Sequence, residues 1–207
     1  MSLIQSRNSL ITAVEDWLLR PDLSDRIETF IQNAEARLRR DSRVRRLIDI
    51  PLNVSSAELA VPSDLVQVDE IIHGDTWGRA PLRNGNLNDV RRARTMRRSG
   101  GVPMVFTVIN DRFIFGPEPD QTYAITLSYW QAFESLTPTN LSNWLLAEHP
   151  DIYLYSTLME SAPYLRDDPR LETWNSFRES ALEELHKLNE DKQYGGPLNR
   201  HPTTTIG

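Results

Sequence analysis

Apolar residues recur at helical spacing through the first part of the chain. Leu10, Val14, Trp17 and Leu18 mark one face of a first helix, which Arg20-Pro21 ends because proline cannot continue it. A second helix follows, with Ser24 expected as its N-cap and Asp25 near the positive end of its dipole. Its apolar stripe is Ile27, Phe30, Ile31, Ala34 and Leu38, one face of a packed helix.

The pattern changes after Ile50-Pro51. Leu59 to Val61 and Leu65 to Val68 are short, contain valines and are separated by Pro62 and Ser63, so they read as strands. Met104 to Ile109 and Arg112 to Phe115 flank Asn110-Asp111, two residues that tolerate positive φ and predict a tight hairpin. After Pro117-Glu118-Pro119-Asp120, the residues Tyr123, Ile125, Leu127 and Tyr129 alternate with Thr122, Ala124, Thr126 and Ser128. That is a period-two strand with one core face.

Helical spacing returns beyond Leu141. Pro150 stands where a first helical residue would be, followed by Ile152, Tyr155, Leu158, Met159 and Ala162. Asp168-Pro169 reads as the cap and first residue of a last helix with the stripe Trp174, Phe177, Ala181, Leu185 and Leu188. The expected class is therefore α+β. A helical body is built from residues 1–50 and 136–193, a small antiparallel β-rich lobe is inserted at 51–135, and 194–207 forms a flexible tail without periodicity. No internal repeat is visible.

Composition narrows the class of protein. The 207 residues are 39% hydrophobic and 25% charged, with a formal net charge of −6, so no global basic charge points to nucleic acid. Cysteine is absent, which removes disulfides, thiolate metal sites and cysteine nucleophiles. Met1 to Arg7 lead straight into an amphipathic segment without a signal-peptide core, and no apolar run is long enough to span a bilayer. The expectation is a soluble protein made in the cytoplasm.

Enzyme signatures are missing: no Walker-type loop, GxGxxG, GxSxG or HExxH is present. Two Glu-x-x-His pairs, Glu70 with His73 and Glu183 with His186, have the spacing of di-metal ligands on facing helices. The first pair lies in a strand-like stretch, where residues three apart point to opposite faces, so no metal or cofactor is expected. The neighbouring acids Asp69-Glu70, Asp167-Asp168 and Glu183-Glu184 fit caps and solvated faces better than a catalytic pair.

The arginines carry more information. One group is Arg37, Arg39, Arg40, Arg43, Arg45 and Arg46, expected at the end of the second helix; another is Arg83, Arg91, Arg92, Arg94, Arg97 and Arg98. The C-terminal helical part is acidic by contrast. Three readings stay open: contact with DNA phosphates, ion pairs with a neighbouring subunit, or a solvated helical face.

The order of motifs from Gly101 onward resembles tailed-bacteriophage adaptor (head-to-tail connector) proteins. It runs Gly101-x-Pro103, the hairpin, Pro117-x-Pro119-Asp120, Tyr129-Trp130, Leu136-Thr137, Asn143-Trp144-Leu145-Leu146 and His149-Pro150-Asp151-Ile152-Tyr153-Leu154-Tyr155. Glu160 to Asp168, Trp174 and the earlier Asn33-Ala34-Glu35-Ala36-Arg37 extend it over most of the chain. The resemblance implies a structural virion protein without enzymatic activity, assembled in the host cytoplasm and located at the head-tail interface. It further implies a homo-oligomeric ring of twelve copies under the portal protein, extending the DNA channel and docking tail or nozzle proteins. A C-terminal segment reaching into the portal would use Tyr194, Leu198, Arg200 and Ile206. Arg37, Arg40, Arg43, Arg46, Arg91, Arg92, Arg94, Arg97 and Arg98 are the candidates for subunit contacts or the DNA channel, although the second group departs from the family pattern. The alternative is a DNA-binding accessory protein acting through these arginines.

Overall fold

The computed structural model describes residues 4–74, 81–165 and 168–194. Its elements form two compact units, one from Met1–Arg45 with Phe133–Gly207, the other from Arg46–Ala132. Helices account for the first, and two small sheets with one helix for the second, as an α+β chain requires.

In the helical unit, α1 (Arg7–Leu18) starts with a capping box between Ser6 and Ser9 and stops at Leu19, a left-handed C-cap just before Arg20-Pro21. A 3₁₀ turn over Pro21–Arg26 leads into α2 (Ile27–Leu38). Ser24 lies inside that turn and is not the cap of α2; Arg26 occupies the N-cap without a side-chain bond. The expected stripe of α2 is buried throughout, and Glu35 is buried with it.

After the short α4 (Trp144–Glu148), α5 (Pro150–Met159) packs against α1, α2, α4 and α6 (Arg170–Tyr194). Because neighbours surround it, Ile152 to Leu154 and Ser156 to Leu158 are all buried, and a single stripe is too narrow a description. Pro150 is indeed its first residue. Asp168 Oδ1 accepts the backbone N–H of Arg170 at 3.0 Å, the expected capping contact, although Arg170 and not Pro169 is the first residue of α6. On α6, Trp174, Ala181, Leu182 and Leu185 are buried, whereas Phe177 and Leu188 are each 46% exposed.

The other unit begins with β1 (Arg46–Val54), which pairs along its whole length with β7 (Tyr123–Gln131), from Arg46 opposite Gln131 to Val54 opposite Tyr123. β3 (Leu65–His73) pairs with the other edge of β7, giving the order β1-β7-β3. A second sheet has the order β2-β6-β5-β4, with β2 (Glu58–Ala60), β4 (Arg83–Asn84), β5 (Val105–Ile109) and β6 (Arg112–Gly116). The β5-β6 turn places Asn110 and Asp111 at φ 48° and 56°, the left-handed pair that a two-residue hairpin needs.

Alternation turns these sheets into layers. Phe106, Phe113 and Phe115 of the second sheet share one core with Ile71, Ile125, Leu127 and Tyr129 of the first. Neighbouring residues point the other way, and there Val105 and Gly116, paired across β5 and β6, meet α3 (Leu87–Met96). A Cβ on Gly116 would lie 2.8 Å from the Val90 carbonyl oxygen, so only glycine lets the helix come this close. The layers therefore run α3, second sheet, first sheet. The outer face of the first sheet carries Asp49, Ser128, Thr126 and Glu70.

Candidate functional site

The two arginine groups prove chemically different. Helix α2 ends at Leu38, so the first group does not line one helix terminus; it continues through turns to Arg46, the first residue of β1. Arg37 pairs with the nearly buried Glu160 at 2.7 Å. Arg39 donates to Ser135 Oγ and stacks over the Phe133 ring, 5.3 Å from its centroid. Arg40 Nε and Arg45 Nε donate to the carbonyl oxygens of Ala36 and Ser42, and Arg46 Nε to Gln131 Oε1 at 2.7 Å.

Arg43 is held most tightly. Its guanidinium donates to both Asp41 oxygens, with Nη2 2.7 Å from Oδ2, while Nη1 reaches Glu179 on α6 at 3.0 Å. The Arg43 hydrogen bonds hold the Asp41 carboxyl below the usual carboxylate range, and the Asp41 bond raises the guanidinium in turn. This fork ties the turn after α2 to the last helix.

Of the second group, Arg91, Arg92 and Arg94 lie on α3, Arg97 is its C-cap, Arg98 follows, and Arg83 belongs to β4; the apolar pattern did not reveal this helix. Leu87, Val90, Ala93 and Met96 recur along it, but Val90 alone is buried, and Asn86 and Asp89 form a capping box that marks its start. Arg94 points inward, donating to the Phe115 and Ala57 carbonyl oxygens at 3.0 and 3.1 Å. Arg83 pairs with Asp89 at 3.4 Å. Arg91, Arg92, Arg97 and Arg98 are exposed, and none of their guanidiniums makes a hydrogen bond or ion pair with another described residue. Met96, beside them at the end of the helix, is 76% exposed.

A family model described as SU10 adaptor protein matches residues 7–201. The chain belongs to the SU10 adaptor protein family. No curated protein matches it. Family membership makes it a phage structural adaptor and a virion component. No described helix is long and apolar enough to cross a membrane.

The adaptor's resemblance motifs meet in one buried network that periodicity could not disclose. Glu35, 2% exposed on α2, accepts the Tyr153 hydroxyl at 3.0 Å and the Leu136 backbone N–H at 2.8 Å. Asn143 donates to the Tyr153 oxygen at 2.7 Å and to the Glu134 carbonyl at 2.6 Å, while its Oδ1 caps α4 through the Leu146 N–H. Burial and the Glu35 charge push the Tyr153 phenol well above its ordinary value. Asn33 to Arg37, Asn143 to Leu146 and Pro150 to Tyr155 are thus parts of one anchor for the segment entering the helical unit at Phe133.

The acid-histidine pairs part company in the adaptor. His73 is buried, its Nε2 2.5 Å from the Pro103 carbonyl oxygen, whereas Glu70 is exposed. His186 faces Glu190 at 3.6 Å on the exposed side of α6, not Glu183. Among the described residues, no group of three or more His, Asp or Glu side chains could hold a metal ion. Leu198, Arg200 and Ile206 of the expected docking tail lie outside the described residues, and Tyr194 is the last residue of α6.

Proposed function

We propose that this adaptor forms a ring of twelve copies beneath the portal, extends the channel through which double-stranded DNA passes, and presents a docking surface to tail proteins. The observation that carries this reading is the family match over residues 7–201, which includes both the helical unit and the inserted β unit. The division of the arginines supports it. The first group stabilises the chain itself, while exposed guanidiniums on α3 are available to an outside partner.

In this reading Tyr194, Leu198, Arg200 and Ile206 dock against the portal, and ring symmetry multiplies a weak contact per copy into firm attachment. Mixing the purified chain with the portal of the same virus and imaging the product tests it. A ring of adaptor density on one end of the portal is expected; portals that stay bare would overturn it. The second reading, DNA binding through α3, draws on the same exposed arginines and requires duplex affinity that falls steeply with salt.

A further inference from the structure

Two surfaces of the β unit match each other. On the outer layer, α3 exposes Arg91, Arg92 and, at its last position, Met96, with the exposed Arg98 two residues further on. On the opposite outer layer, the face of the first sheet holds an open cleft of about 450 Å³. Asp49 on β1 and Glu70 on β3 flank its floor, both paired in register with Ser128 of β7. Both acids are exposed and neither carboxylate makes a hydrogen bond or ion pair with a described residue. Ser128 is 6% exposed, lines the cleft, and its hydroxyl has no hydrogen-bond partner among the described residues. Ile72 and Thr126 complete the floor with carbon surface.

We infer that α3 of one copy seats in the sheet cleft of a second copy, with Met96 on the Ile72-Thr126 floor and the arginines against Asp49 and Glu70. A long, unbranched thioether suits a shallow, irregular floor, and guanidiniums suit carboxylates at the rim. Opposite charges set the register, while the buried methionine contributes most of the attraction. Because the two surfaces occupy opposite layers, the contact is head-to-tail. Each copy keeps one free knob and one free cleft, so the contact propagates until a ring closes. DNA would match the arginines but leaves the acidic cleft unexplained.

This inference rests on the proposed ring and adds its interface. Since the chain has no cysteine, Met96→Cys combined with Thr126→Cys is a clean reporter. Under mild oxidation on the portal, the double variant should give a covalent ladder that neither single variant gives. Charge reversal supplies the second test. Arg91→Glu with Arg92→Glu, and separately Asp49→Arg with Glu70→Arg, should each lower self-association at least tenfold. A mixture of the two should restore it, because acidic knobs then meet basic clefts and basic knobs meet acidic ones.

Wild-type rings on the portal without a ladder from the cysteine pair would overturn this interface and leave the ring standing. Failure of the wild-type chain to associate at all would overturn both. Reversed arginines that assemble normally but lose salt-sensitive duplex binding would assign α3 to DNA and overturn the inference.

Discussion

The Tyr153 hydroxyl donates to Glu35 Oε1 at 3.0 Å inside the helical unit, joining the centre of α5 to the buried face of α2. The same oxygen accepts the Leu136 N–H, so one carboxylate organises a helix pair and the chain segment that enters beside them. Tyr153→Phe removes one donor from a buried charge and should cost about 2 kcal/mol. Glu35→Ala leaves two buried donors unpaired as well as a void, and should cost about 4 kcal/mol. Urea unfolding of the two variants checks the order; equal midpoints with wild type would remove the network from the account of stability.

The arginine groups should separate in a stability measurement. Arg43→Ala strips the fork from Asp41 and Glu179 and should lower stability by about 2 kcal/mol. Arg91→Ala, Arg92→Ala and Arg98→Ala, on an exposed surface, should each stay within about 0.5 kcal/mol of wild type. Thermal melts of the single variants suffice. A similar loss in both groups would mean that α3 arginines also hold the fold.

Gly116 should tolerate no side chain. Alanine there meets the Val90 carbonyl and the Ala93 methyl, so α3 must move away from β6. The expected cost is about 1–3 kcal/mol. Hydrogen exchange should show the loss at α3 and β6, with α5 and α6 of the helical unit unaffected.

Tyr129 gives the β unit an alkaline limit. Burial and the hydrogen bond to Asp64 push its phenol from 10.0 up to about 12. The folded state therefore holds this proton more firmly than the unfolded chain does. Its stabilising contribution is complete below about pH 10 and is lost as the pH rises toward 12. Tyr129→Phe, which has no such proton, should flatten the decline in stability over that window. An unchanged slope would exclude Tyr129 as its source.

What could be read from residue patterns followed the strength of local signals. The β5-β6 hairpin was legible because Asn110-Asp111 is a chemical requirement of its turn, and the α2 stripe because a regular helix face is buried. β1 was not legible. Pro51 argues against a strand, yet β1 is the edge of its sheet, where a residue that cannot donate is tolerated. α3 was missed because its apolar residues Leu87, Val90, Ala93 and Met96 stand singly among arginines, and only Val90 is buried. Glu35 gave no sign of its burial, since its partners lie more than a hundred residues away and only the fold brings them together.

The family resemblance, by contrast, was legible in the order of motifs after Gly101, and the match over residues 7–201 bears it out. The arginines were visible as groups but not as partners. Sequence spacing does not say which guanidiniums the chain consumes in its own contacts.

The most direct test of the adaptor account is a reconstruction of the portal vertex in intact virions. The account predicts a twelve-fold ring of this chain between portal and tail, its β unit in contact with the next copy's. A vertex in which portal meets tail with no density for this chain would contradict it.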